Sequence, residues 1–435
     1  MKKLIFVLMI FSVLLSSCSS KHEQTQTPVV DDEADISVPD VEIHTVDIDF
    51  VNNNSYTELG ITEGMNAVIK EYFSRYFSAL GDFTDITFDD IYYFDTEYER
   101  GIINTMVAYQ NRIRRDMPFD LGYNSATVGV TYRSVTETDK GYDVYLVQND
   151  SMNYNFTPDV RSYTSDVEHH FILKEIDGQY YISAHTEISG VYELITDKYD
   201  DFLREKKLTL SRMTPARITE TLEELRNELV NGVTTALDRV LVQRDEFNAE
   251  PEAFNPIATA KYPYSVDDAL KYSYEWVGQT DYKRNPAFTA YDAYGGNCNN
   301  YTSQCLLAGG IPMDLQGKQW KWYGEDINNS AGMYGRSSSW AACEYFYEYC
   351  VENSGYGLVC ETDTNLYSGR PGDIIQYLSD GVGVHSVIIT KVIYDDTGNV
   401  VDYLVNSNTT DKIDCPMSLY GYTEFRLIRI IGYNN

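Results

Sequence analysis

The sequence predicts an α+β fold in two folded units, and three observations carry that prediction. Two amphipathic helical patterns near the N-terminus precede a run of strand patterns, with no interleaving of helices and strands. A long helical stripe and a polar, proline-containing segment then separate this region from the rest. The last part of the chain has a helix pattern followed by two alternating strands joined by a short polar turn.

Residues 1–18, MKKLIFVLMIFSVLLSSC, have two lysines, an apolar run and small residues before Cys18, which is a secretory leader pattern. The end of the run resembles a lipobox, so Cys18 is expected to be lipidated and to anchor the exported chain to a bacterial membrane. Residues 19–45 are polar and acidic and read as a flexible tether.

Residues 46–208 read as the N-terminal α+β domain. From Thr62, apolar Met65, Val68, Ile69, Tyr72, Phe73, Tyr76, Phe77 and Leu80 recur at helical spacing, and a second helix is expected over Glu97 to Arg115. Strands are expected over Ala126–Val135, Tyr142–Gln148, Glu168–Ile176 and Gln179–Thr186, the last two joined at Asp177-Gly178. His169, His170 and His185 fall on these strands, but adjacent histidines point to opposite faces and no cysteine or spaced carboxylate set completes a metal site. No metal and no cofactor is expected.

Thr214-Pro215 opens a long helix over 214–245, roughly 45 Å at 1.5 Å per residue, with Ile218, Leu222, Leu225, Leu229, Val233 and Leu237 on one stripe. It can act as a spacer between domains or pack into the first one. Residues 246–262 read as a linker, and the second domain is expected over 260–435.

The 34 Lys plus Arg against 66 Asp plus Glu give a formal charge of −32, which opposes charge-driven binding to nucleic acid or anionic lipid. Apart from Cys18, all six cysteines (298, 305, 343, 350, 360 and 415) lie in the last third of the chain. An exported location permits disulfides among them, and their connectivity stays open.

Cys298 follows Gly295-Gly296-Asn297 and begins a helix that ends at Gly309-Gly310. A thiol at a helix N-terminus meets the positive end of the dipole and unpaired amides, which favour the thiolate, and its own amide can hold an oxyanion. Cys305, two turns on, reads as a packing residue. The only imidazole in the last 175 residues is His385, near the start of the strand VHSVIITKV, so it is the candidate base. If Asp395 to Gly398 form a four-residue hairpin loop, Asn408 on the next strand lies opposite His385 and orients the ring; an odd-length loop turns it away, and Asn406 is the reserve.

The segments NCNNYTSQCLLAGGIPM, WKWYG, SSSWAACEYFYEY, PGDIIQY, HSVIITKV and NTTDK, over about Tyr262 to Ile431, resemble the bacterial "putative amidase domain" family. That family looks like a branch of the papain-like cysteine hydrolases related to NlpC and CHAP cell-wall peptidases. The resemblance implies a papain-like α+β fold, with Cys298 as nucleophile and His385 as base. The chain departs from the family in having Asn297 before the cysteine, where Asp is usual, and Asn408-Thr409-Thr410-Asp411, where His-Thr-x-Asp is usual. The result is a Cys-His-Asn set. Trp320, Trp322 and Trp340 match family positions and wall the cleft or fill the core.

The expected function is a lipid-anchored extracytoplasmic cysteine hydrolase cleaving amide bonds, its partner a cell-wall peptide or another amide substrate. A catalytically inactive, surface-anchored binding module and an acyl transferase remain open alternatives.

Overall fold

A computed structural model describes residues 46–94, 96–280, 282–316, 319–324 and 335–435. The expected leader and tether, residues 1–45, lie outside the described residues. The elements are, in order, β1 (Asp47–Asn52), α1 (Glu63–Asp82), α2 (Glu97–Asp116), β2 (Ser125–Thr138), β3 (Gly141–Met152), β4 (Ser162–Ile176), β5 (Gln179–Glu187), α3 (Gly190–Glu205) and α4 (Pro215–Ala249). After them come β6 (Tyr262–Pro263), α5 (Val266–Glu275), α6 (Cys298–Ala308), α7 (Ser338–Ala341), α8 (Cys343–Glu352), β7 (Gly357–Glu361), β8 (Ile374–Ser379), β9 (Val382–Tyr394), β10 (Val400–Ser407), β11 (Asp411–Pro416) and β12 (Phe425–Asn434). The fold is α+β. No described helix is long and apolar enough to cross a membrane.

Helices α1 and α4 start on side-chain caps. The Thr62 side chain accepts from the Met65 amide, and Thr214 accepts from Arg217 ahead of Pro215 at the first helical position. The apolar stripe of α1 is buried against β5 and α2, as its spacing requires. Asp177-Gly178 and Asp380-Gly381 both have positive φ, at 51° and 80° and at 51° and 78°, and close the two-residue hairpins β4–β5 and β8–β9. A primed turn needs this backbone, and Asp-Gly adopts it at little cost.

One mixed sheet runs in the order β1-β2-β3-β4-β11-β10-β9-β8-β12-β6, with β5 on β4 and β7 on β12. Its only parallel pair in that order is β1 with β2. The N-terminal meander and the C-terminal strands join at β4 and β11, where Ser165, Thr164 and Tyr163 pair with Asp411, Lys412 and Ile413. The Ser162 hydroxyl donates to the Asp414 carbonyl at 2.6 Å and Ser165 to the Gly278 carbonyl at 2.8 Å, fastening the seam. Helix α4 packs on α2 and also reaches the other half: Gln243 meets Asn365 and Leu366, and the Asn248 side chain bonds both backbone groups of Val400. Three apolar clusters form the interior. One lies under α1, α2 and the first strands; one lies around α5, α6 and α8; one lies between β8 to β10 and the end of α4.

Candidate active site

The start of α6 is built by the residues before it. Gly295 and Gly296 take φ of 101° and 111°, a backbone that an L side chain rarely adopts, and this brings the chain into the helix at Asn297. Asn297 is a junction. Its side-chain oxygen accepts from the Tyr291 amide (3.0 Å) and Asn300 (2.8 Å), its Nδ2 donates to Asn408 (2.9 Å), and its amide donates to the Thr409 hydroxyl (2.6 Å). Arg284 braces the same turn from below, bonded to Asp292 at 2.7 Å and Asp411 at 2.8 Å.

Cys298 is the first residue of α6 and is 6% exposed. As a first-turn residue its amide has no acceptor within the helix. Its thiol is held well below the ordinary cysteine range. The largest cause is a hydrogen bond from Cys343, whose Sγ lies 3.7 Å away; burial opposes it, and the His385 imidazole and the Ser386 amide add to it. The donors outweigh desolvation because a thiolate gains more from charge-assisted hydrogen bonds than a thiol does. Cys343, sharing the pair, is pushed up, so one sulfur of the two ionises. Cys305 is fully buried on α6 and burial raises its thiol, consistent with packing. All six described cysteines are free.

His385 and Ser386 are consecutive on β9 and point to opposite faces. Ser386 is buried, receives a hydrogen bond from Gln376 at 3.0 Å, and has Asn299 Oδ1 and Cys343 Sγ at 3.0 and 3.2 Å as acceptors. The His385 ring lies beside Tyr377 and Tyr420, with centroids 5.9 and 5.5 Å away. Its Nε2 is buried without a hydrogen-bond partner among the described residues.

The expected contact between Asn408 and His385 is not made. The hairpin loop has five residues, since Val400 pairs with Tyr394, and register shifts at Val400/Asp402 and Leu404/Val405 leave Asn406 opposite Ile388. Continuing that register sets Asn408 against Ser386, one residue off, which turns its side chain from the imidazole. Asn408 instead accepts from Asn297 and donates to the Trp276 carbonyl at 3.3 Å. Asn406 accepts from the Asp414 amide and donates to Ser273, so it is occupied as well.

The turn after Asn408 carries strain. Thr409 and Thr410 have φ of 66° and 50°, a left-handed backbone that costs β-branched residues of order 1–3 kcal/mol each. It places the Thr409 hydroxyl to receive the Asn297 amide. Among the described residues the Thr410 side chain makes only an exposed hydrogen bond, to the Ile188 carbonyl at 3.3 Å. Thr410→Gly is therefore expected to raise unfolding free energy by about 1 kcal/mol, read from the urea midpoint.

A cavity of about 220 Å³ opens in front of the thiol, and both halves of the chain wall it. Gly296, Cys298, His385, Thr409, Lys412 and Tyr420 come from the C-terminal half; Tyr76, Arg114, Asp150, Glu187 and Glu193 come from the N-terminal half. Burial and Asp197 push the Glu193 carboxyl up, while His385 pulls it down from the C-terminal side. This wall was not legible in the sequence, because its residues lie more than a hundred positions from Cys298. Cys343, 45 positions from Cys298, was missed because nothing local brings the starts of two helices together, although its place at the start of a helix after Ala342 was the available signal. The three tryptophans do not wall the cavity. Trp320 and Trp340 are fully buried, 4.9 Å apart between ring centroids, and donate to Ser303 and Asn300 of α6.

Among the described residues one cluster could hold a metal ion: His169, His185 and Glu187, with ligand atoms within 4.8 Å of one another. His169 is buried and His170 exposed, as strand alternation requires, and Glu187 on β5 supplies the carboxylate that sequence spacing had not suggested. The two rings already satisfy each other, Nδ1 to Nε2, at 3.0 Å. Burial lowers His185 to about 3, which keeps its ring neutral, and raises Glu187 to about 7.

Comparison with known proteins bears on residues 263–431, which match the family described as "Putative amidase domain". The chain is also similar to "Uncharacterized protein YhbB" of Bacillus subtilis (strain 168), with 30% identity over 190 residues. The alignment takes in 40% of this chain and 56% of that protein, so the chain spans about half the length of the curated relative it matches. No solved structure matches the chain. The family description points to a hydrolase of amide bonds, and Cys298, His385 and Cys343 all lie inside the matched range. The similarity to the putative amidase domain family is thus carried by residues 263–431 of this chain.

Proposed function

We propose that the protein is a cysteine hydrolase that cleaves amide bonds of cell-wall peptides, exported and anchored to the membrane through lipidated Cys18. The observation that carries the reading is the Cys298 thiol at the first position of α6, with Cys343, His385 and the Ser386 amide all favouring its ionised form. A helix bearing the thiol and a β-strand bearing the imidazole, packed against each other, support a papain-like arrangement.

The thiolate attacks the amide carbon, and the C–S bond forms as the carbonyl electrons move onto oxygen. The Cys298 amide at the helix start holds that oxyanion. Collapse of the intermediate breaks the C–N bond, and the amine leaves with a proton from the His385 imidazolium. Water then attacks the thioester while His385 takes its proton, and collapse breaks the C–S bond, releasing the acid and restoring the thiolate beside the imidazolium. Asn408 serves this site through Asn297, whose place at the helix start it fixes.

The test is mass spectrometry of a purified cell-wall digest incubated with the full chain. The expected result is peptides split with the gain of one water and a new amino terminus. An unchanged digest, or transfer of the acyl group to an added amine in place of water, would overturn hydrolysis of this substrate.

A further inference from the structure

The cavity in front of Cys298 contains a buried cation that forms no ion pair among the described residues. Arg114, near the end of α2, is 5% exposed and lines that cavity. Its neighbours on either side are paired, Arg112 with Asp116 at 2.8 Å and Arg115 with Asp85 at 3.2 Å. Arg114 has no such carboxylate among the described residues. Its Nε has no hydrogen-bond partner, and its Nη1 reaches only the Gln110 carbonyl of its own helix, at the long distance of 3.5 Å.

A guanidinium cannot shed its proton as a buried carboxyl can, so a buried unpaired arginine is costly unless something outside the chain supplies the counter-charge. The fork of a guanidinium matches a carboxylate in bidentate fashion. The rest of the cavity selects among anions. Asp150, Glu187 and Glu193 share it, and they disfavour a multiply charged group such as a phosphate dianion. Lys412 is the other cation on the wall; its ammonium lies 3.5 Å from the Thr164 hydroxyl and 5.4 Å from the centre of the Tyr420 ring, so it is already engaged. A singly charged carboxylate is the group that fits Arg114.

We propose that Arg114 is the carboxylate-recognition residue of the thiol cavity, so that the substrate is an amide carrying a free carboxyl group. The carboxylate is seated on the guanidinium from the N-terminal half while the amide faces Cys298 from the C-terminal half. This deepens the amide-hydrolase reading and rests on it for the word substrate. The binding itself does not depend on turnover.

The test is calorimetric titration of the full chain with alanylalanine and with its C-terminal amide. Wild type is expected to bind the free acid at least about tenfold more tightly than the amide, the scale of one charge-assisted bidentate contact. Arg114→Met is expected to bind the two equally while melting no lower than wild type, because an apolar side chain replaces an unpaired buried charge. Arg114→Lys, which keeps the charge and loses the fork, is expected to retain only part of the preference. Equal binding of acid and amide by wild type, no detectable binding of the acid, or an undiminished preference in both variants would overturn the proposal. The outcomes separate from those of the enzyme reading. A carboxylate preference in a chain that hydrolyses no amide sinks the hydrolase and leaves the recognition site. Hydrolysis with no carboxylate preference does the reverse.

Discussion

Replacing Cys298 by alanine is expected to lower amide hydrolysis by at least about 10³-fold while leaving the fold intact, because on the proposed mechanism the covalent route disappears and only substrate positioning and oxyanion contacts remain. The thiol is buried among Cys343, His385 and Ser386, so the substitution removes one sulfur from a packed site and costs on the order of 1 kcal/mol of stability. Far-UV circular dichroism and the thermal midpoint check the fold, and product formation from cell-wall peptides checks the activity. Full retention of activity would remove Cys298 from the mechanism.

The second large effect is expected one sulfur away. The hydrogen bond from Cys343 is the leading cause of the depressed Cys298 thiol, and a hydrogen bond to a charged acceptor contributes roughly 1.5–3 kcal/mol. Cys343→Ala removes that donor and leaves the opposing desolvation in place. The thiolate fraction near neutral pH, and with it kcat/KM, should fall by about 10- to 100-fold. Cys343→Ser keeps a donor of similar reach and should recover most of the rate. A merely structural role for Cys343 would not distinguish serine from alanine in this way, and its variants would change the melting temperature without moving the pH dependence of the reaction.

The parts of this architecture that sequence could carry are those set by local periodicity. The α1 stripe from Met65 to Leu80, the second helix at Glu97 and the Asp177-Gly178 turn follow from side-chain spacing and from the backbone that Asp-Gly tolerates. So does the place of Cys298 at a helix start after two left-handed glycines. The pairing of Ser165 with Asp411 has no local signal, because strands that meet across more than two hundred residues are matched by tertiary packing. As a result the sheet is continuous where the polar segment suggested a boundary. Asn408 shows a finer limit. Its relation to His385 depends on a strand register, and the five-residue loop with two shifts moves it by one residue, enough to turn it to the other face. The Cys298–Cys343 contact and the Arg114 wall likewise arise only in three dimensions.

Cys298 differs from an ordinary cysteine in a thiol held well below the usual range, and alkylation by iodoacetamide measures that depression directly. The rate of Cys298 labelling, followed by peptide mass spectrometry from pH 4 to 10, should reach its plateau well below the ordinary cysteine range and stay high at neutral pH. In Cys343→Ala and in His385→Gln the acid limb should move to higher pH. A wild-type profile that rises only through the ordinary thiol range, near about 8.5, and is unmoved by either substitution would contradict the account.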